Sequence, residues 1–148
     1  MKVAELSLVP VSKLQMSDNE LFAYAAGLID GEGYIGIVIT GRARGYKGYS
    51  LQVKVGMTTT EGIGILQLLF GGGIHIAEKP GKRAVCVWSV NARTEVEYCL
   101  NKLKGKLIIK RELAVLGLEY LRIPTNTQDP TLRETFWKQF KELNRRGV

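Results

Sequence analysis

A helix with two unlike faces, expected from Ser17 to about Asp30, restricts this fold more than any other stretch of the sequence. It opens on Ser17-Asp18-Asn19-Glu20, a capping box in which the Ser17 hydroxyl accepts an amide hydrogen bond and the Glu20 carboxylate returns one. At about 100° per residue, Leu21, Phe22, Ala25, Leu28 and Ile29 share one arc, while Ala23, Ala26, Gly27 and Asp30 occupy the opposite one. The bulky arc has to be buried in the chain's own core. A helix covering a sheet normally turns charged residues to water on its far side, yet here the far side is small and uncharged until Asp30. Small side chains allow close backbone approach, and no second helix in the chain has a matching face. The expected neighbour is a second copy, because a two-fold axis between identical helices is self-complementary. A tight contact within the chain is the competing reading.

After Asp30 the apolar period changes. Residues 34–40 (YIGIVIT) alternate Ile35, Ile37 and Ile39 with Tyr34, Gly36, Val38 and Thr40, the two-residue repeat of a strand. Residues 41–48 read as a basic loop, and residues 49–57 return with Leu51, Val53 and Val55 on one face and Ser50, Gln52 and Lys54 on the other. A helix over 60–70 stops at Gly71-Gly72-Gly73, after which strands at 74–78 and 83–91 flank the turn Lys79-Pro80-Gly81-Lys82. Helices follow at about 94–103, 108–121 and 131–144. This order predicts an α+β fold, a four-stranded antiparallel sheet with helices on one face, forming one domain over residues 1–148.

The chain of 148 residues carries a net charge of +7, which suits an anionic partner. Its bases are clustered: Arg42, Arg44, Lys47 and Lys54 form one acid-free run, and Lys102, Lys104, Lys106, Lys110 and Arg111 another. Nucleic acid is favoured over a membrane surface, since no amphipathic basic helix dominates and no stretch approaches the roughly 20 apolar residues of a bilayer span. The N-terminal residues lack the layout of a secretory signal, so a soluble protein of the cytoplasm or an organelle interior is expected. Cys86 and Cys99 have no CxxC spacing and His75 is the single histidine, which disfavours zinc sites and excludes HExxH metalloproteases. Gly71-Gly72-Gly73 lacks the GK[ST] and the strand-glycine-helix order of a phosphate loop. Hydrolytic chemistry in such a chain rests on carboxylates, lysines and a divalent cation.

Glu32 falls just beyond the expected end of the two-faced helix, where the dipole disfavours an anion, and dimerisation would bring two copies of it together. A divalent cation reverses that penalty, with Glu32 and nearby backbone carbonyls supplying hard oxygen ligands to Mg²⁺. The alternative is a solvated turn. Asp30, on the small arc, is expected to cap or to hydrogen-bond across the interface.

Residues 25–33, AAGLIDGEG, closely resemble the nine-residue LAGLIDADG signature of homing endonucleases, with Ala for the first Leu, Gly for the second Ala and Glu for the second Asp. The following YIGIVIT strand and the order of elements are also similar to that family, over nearly the whole chain. The resemblance implies a saddle-shaped sheet over duplex DNA and a dimer interface made by the motif helices, here Ala23, Ala26, Gly27 and Asp30. It implies Glu32 as catalytic metal ligand, with the Gly31 carbonyl, for Mg²⁺ or another divalent ion such as Mn²⁺ or Ca²⁺. One motif implies a homodimer and a roughly palindromic target, cut with a staggered break, by an intron-encoded type of enzyme. The family's late lysine beside the attacking water corresponds to Lys110, with Arg111 as a possible substitute; a solvated helix lysine is the plainer reading. Many relatives place Asn or Gln at the end of the second strand to organise water. This chain has Met57, which cannot do so, followed by Thr58 and Thr59.

Antiparallel ribbons fit the major groove and send every second side chain to the bases. Tyr34, Val38, Thr40, Ser50, Gln52 and Lys54 are expected to face DNA, with Arg42, Arg44 and Lys47 in the first loop and Lys79, Lys82 and Arg83 at the second hairpin's tip. Each lone base also reads as a solubilising charge. Met57 keeps a rival alive, a nucleic-acid-binding protein of the same fold with weak or no cleavage, such as an intron maturase or a regulator.

Overall fold

A computed structural model describes residues 15–41, 48–125 and 130–146. Helix α1 (Asp18–Glu32) starts on the predicted box: Glu20 N–H donates to Ser17 Oγ at 3.2 Å and Ser17 N–H to Glu20 Oε1 at 3.0 Å. It runs two residues past Asp30 and closes with the Gly33 N–H on the Ile29 carbonyl. Strands β1 (Gly33–Thr40) and β2 (Gly48–Met57) pair antiparallel, with Tyr34 opposite Lys54 and Val38 opposite Ser50. Helix α2 (Glu61–Phe70) leads to β3 (Gly73–Ala77) and β4 (Val85–Val90), and helices α3 (Arg93–Leu103), α4 (Arg111–Tyr120) and α5 (Pro130–Arg145) complete the described chain.

The four strands form one antiparallel sheet in the order β1-β2-β4-β3, because β4 pairs with β2 from Val53 to Met57. Alternation decides its faces. Ile35, Ile37, Leu51, Val53, Val55, Cys86, Trp88 and Val90 are buried in a core shared with Leu21, Ile29, Leu66, Leu100 and Leu113 from the helices. The buried Trp88 indole donates to the Gly71 carbonyl at 2.8 Å, so its polar edge is satisfied. On the free edge of β1, the Asn144 side chain donates to the Ile35 carbonyl at 3.1 Å.

One expectation changes. The helix predicted over 108–121 begins only at Arg111, because the 108 and 110 amides are held by a carboxylate from α1 instead of by their own helix. Gly71 and Gly72 take φ of +73° and +84°, and a Cβ on Gly72 would lie 2.4 Å from the Ser89 carbonyl oxygen. The triple glycine is thus a helix exit pressed against β4. No helix among the described residues is long and apolar enough to cross a membrane.

Candidate active site and nucleic-acid interface

The chemistry-bearing residues gather around the C-terminal end of α1. Glu32, the last helical residue, is exposed, and with Gly56, Met57, Thr58 and Val85 it lines a shallow recess of about 280 Å³. The fold therefore joins the motif's second acid to the end of β2, where Met57 and Thr58 stand; Thr59 lies outside that set. The other side of the helix end is locked. Asp30 accepts the Ile108 N–H at 2.8 Å on one carboxylate oxygen and the Lys110 N–H at 3.0 Å on the other. The Lys110 ammonium in turn donates to the Asp30 carbonyl at 2.9 Å, a cation at a helix C-terminus where the dipole favours it.

Of the two roles expected for Asp30, capping is the one seen: its carboxylate fastens the segment that carries Lys110. One sequence reading needs correction here. Ala26 is 1% exposed and belongs to the protomer's core, because α1 packs against α2 and α3 as well as β2 and so buries more than half its circumference. The outward stripe consists of Ala23, Gly27 and Gly31, with Tyr24 beside it. A Cβ added at Gly27 or Gly31 would meet nothing within 4 Å. The Arg111 guanidinium folds back onto the Leu107 and Gly105 carbonyls at 3.0 and 3.5 Å, whereas the Lys110 ammonium reaches the end of α1.

For a divalent cation the fitting donors are Glu32 and the Gly31 carbonyl, both at the exposed helix end. They are hard oxygen ligands suited to Mg²⁺, Mn²⁺ or Ca²⁺. Among the described residues no three His, Cys, Asp or Glu side chains cluster as a self-sufficient metal cage. Such a site is completed by water and by phosphate oxygens.

Opposite the core, the sheet's open face carries Tyr34, Val38 and Thr40 from β1 and Ser50, Gln52 and Lys54 from β2, all at least partly exposed. Tyr34 lies across Gly36, whose Cβ would meet its hydroxyl oxygen, and Lys54 Nζ stands 5.5 Å from the centre of its ring. Burial raises the Tyr34 hydroxyl above its ordinary pKa. Lys79, Lys82 and Arg83 are exposed at the second hairpin, whose turn closes with the Lys82 N–H on the Lys79 carbonyl and a positive φ at Gly81. Arg42, Arg44 and Lys47 lie outside the described residues. The second hairpin adds residues that sequence reasoning missed: His75, Val87 and Ser89 on the same face, with Ser89 level with Lys54 and Gly73. The signal was the alternation of Ile74 with His75 and of Trp88 with Ser89.

No protein-family model and no curated protein sequence matches the chain. Solved structures do. The homing endonuclease I-CvuI, in complex with its target in the presence of Ca, superposes with a TM-score of 0.72 at 24% identity, over 85% of this chain and 83% of that one. Archaeal intron-encoded I-Vdi141I complexed with DNA gives 0.68 at 19% identity, over 87% and 85% of the two chains. Group I intron-encoded I-CeuI complexed with DNA gives 0.68 at 16%, over 85% and 68%. The chain has the LAGLIDADG homing endonuclease fold.

Proposed function

We propose that this chain is a homodimeric DNA endonuclease that hydrolyses phosphodiester bonds with a divalent cation, at a long and roughly palindromic target. The observation that carries this reading is Glu32, an exposed carboxylate at the end of the motif helix, flanked by Thr58 and followed directly by the open face of the sheet. Neighbours of this fold include homing endonucleases in complex with DNA, one in the presence of Mg and one of Ca.

Glu32 and the Gly31 carbonyl hold the cation. When bound, it supplies charge neutralisation at the phosphoryl oxygens and lowers the pKa of water beside it. Lys110, steadied by two hydrogen bonds to Asp30 and by the Ile108 amide on the same carboxylate, presents its ammonium at the same helix end, where it can orient water or screen developing negative charge. Thr58 is the hydroxyl available near Glu32 to position that water. Tyr34, Lys54, Ser50 and Gln52, with Ser89 and His75 of the second hairpin, read the major groove. The chain works inside the cell as an intron-encoded type of enzyme making a staggered break.

Dimerisation rests on Gly27 and Gly31. A helical glycine costs about 1 kcal/mol relative to alanine, and neither of these has a neighbour among the described residues that requires it. Close approach of a second α1 accounts for both.

Plasmid carrying the target, incubated with protein and Mg²⁺, should be linearised by the native chain and left intact by Glu32→Gln, with DNA affinity retained. Equal cutting by the variant would overturn the metal assignment. Met57 beside Glu32 favours one second reading, a DNA-binding protein that does not cut; native protein that binds the target tightly without cleavage would establish it.

A further inference from the structure

One corner of the sheet is left open by the short β4. It ends at Val90, opposite Val53, so among the described residues β2 from Gly48 to Gln52 is paired on one side only, with β1. The Tyr49 carbonyl accepts the Tyr120 hydroxyl at 3.0 Å, which sets the parity of that edge: the backbone groups of Tyr49 and Leu51 point away from β1. A cavity of about 360 Å³ opens there, walled by Ser50 and Asn91 on the open-face side and by Arg93 and Arg133 from the helices.

Both arginines are held by neutral acceptors. Arg93 donates to the Ile123 carbonyl at 3.0 Å, and Arg133 to the Tyr120 hydroxyl at 3.2 Å and the Pro124 carbonyl at 3.1 Å. The Arg133 guanidinium also sits 5.6 Å from the Tyr120 ring centre. Among the described residues the ion pairs are those of Glu142 with Arg145 and Arg146, and no described carboxylate pairs with either cavity guanidinium. The acid that bears on this corner is Glu134; burial first, then Glu134 and Tyr120, raise the Tyr49 hydroxyl above its ordinary pKa. A guanidinium has five donors in a fixed fork, so each keeps N–H groups beyond those it spends on the turn.

We infer that this cavity anchors one backbone phosphate of duplex DNA, gripped by Arg93 and Arg133 with Ser50 and Asn91 at its mouth. The inference rests on the DNA-binding reading above and adds a phosphate site at the edge of the base-reading face, where Ser50 borders both. Its position follows from the strand. Gly48 pairs with Thr40, at the opposite end of β1 from Gly33 and Glu32, which is roughly 23 Å along the strand. At about 3.4 Å per base pair, the anchored phosphate lies roughly seven base pairs from the scissile one.

The full chain is titrated with a duplex of about 24 base pairs and one of about 10, across a salt series, because only the longer can reach both cavities of a dimer. Arg93→Gln and Arg133→Gln should each weaken binding to the long duplex about tenfold and lower the salt slope by about 1 per cavity, with no change on the short duplex. Asn91→Asp brings a carboxylate to the wall without touching the bonds that fasten residues 123–124, and should give the same loss at an unchanged melting temperature. If native protein binds neither duplex, the DNA reading itself fails. If it binds the long duplex and Asn91→Asp binds it equally well with the same salt slope, the phosphate site fails and the DNA reading stands.

Discussion

Two sides of α1 are lined by small residues for opposite reasons. Ala25 and Ala26 are 0% and 1% exposed, small because α2, α3 and β2 crowd them. Ala23, Gly27 and Gly31 are exposed, and nothing among the described residues would touch a Cβ at either glycine. The same residue type thus records an internal packing limit on one side and an unfilled one on the other. Residue size alone does not distinguish them; occupancy by neighbours does.

A matched pair of substitutions breaks this comparison if it is wrong. Gly27→Leu should leave the protomer folded while preventing the dimer, so that sedimentation shows a monomer and plasmid cutting falls by at least about a hundredfold; a dimeric, active variant would end the interface proposal. Ala26→Leu should do the reverse, lowering the unfolding free energy by about 1–3 kcal/mol through overpacking, read by denaturant titration. If both variants lose stability alike, the two sides are equivalent and the comparison fails.

Why Ala26 was misplaced is instructive. A helical wheel assigns residues to a core arc by bulk, which works when a helix rests on one surface. This helix has three neighbours, and its buried arc widens to include a position whose side chain gives no sign of burial. The strands were easier to read, since β1 and β2 alternate bulky apolar residues with polar ones over their whole length and the sheet buries one face. The proposed metal ligand Glu32, which is the last residue of α1, was singled out by its place near the expected end of that helix, and Lys110 by the resemblance. The hydrogen bonds of Asp30 with the Lys110 segment were not, because the two are separated by most of the chain and a carboxylate's partner that far away leaves no periodic trace. His75 and Ser89 were overlooked for a related reason: β3 and β4 are short, and the order β1-β2-β4-β3 that levels Ser89 with Lys54 is a property of pairing and not of local sequence.

Asp30 sharpens the comparison at the end of the helix, where an outward-stripe position turns inward. Asp30→Asn removes the charge from two hydrogen bonds and one acceptor oxygen, freeing the 108–110 segment. The expected loss is about 1–3 kcal/mol of stability, and cutting should fall with Lys110 no longer held at the helix end. Amide exchange at Ile108 and Lys110 reads the loop directly; unchanged protection there would show that the carboxylate does not fasten it.

The smallest effect lies at the other end of α1, where the capping box is exposed. Hydrogen bonds from the Ser17 backbone, then from its side chain, hold the Glu20 carboxyl below its ordinary range. A folded-state pKa below the unfolded one means that the carboxylate's contribution is present above the unfolded pKa and is lost as pH falls through the folded one. The melting-temperature gap between the native chain and Glu20→Ala should therefore be small at about pH 7 and should close on acidification below the ordinary carboxylate range. A gap that does not respond to acid would mean that Glu20 acts there through helix propensity alone, leaving Ser17 to start the helix by itself.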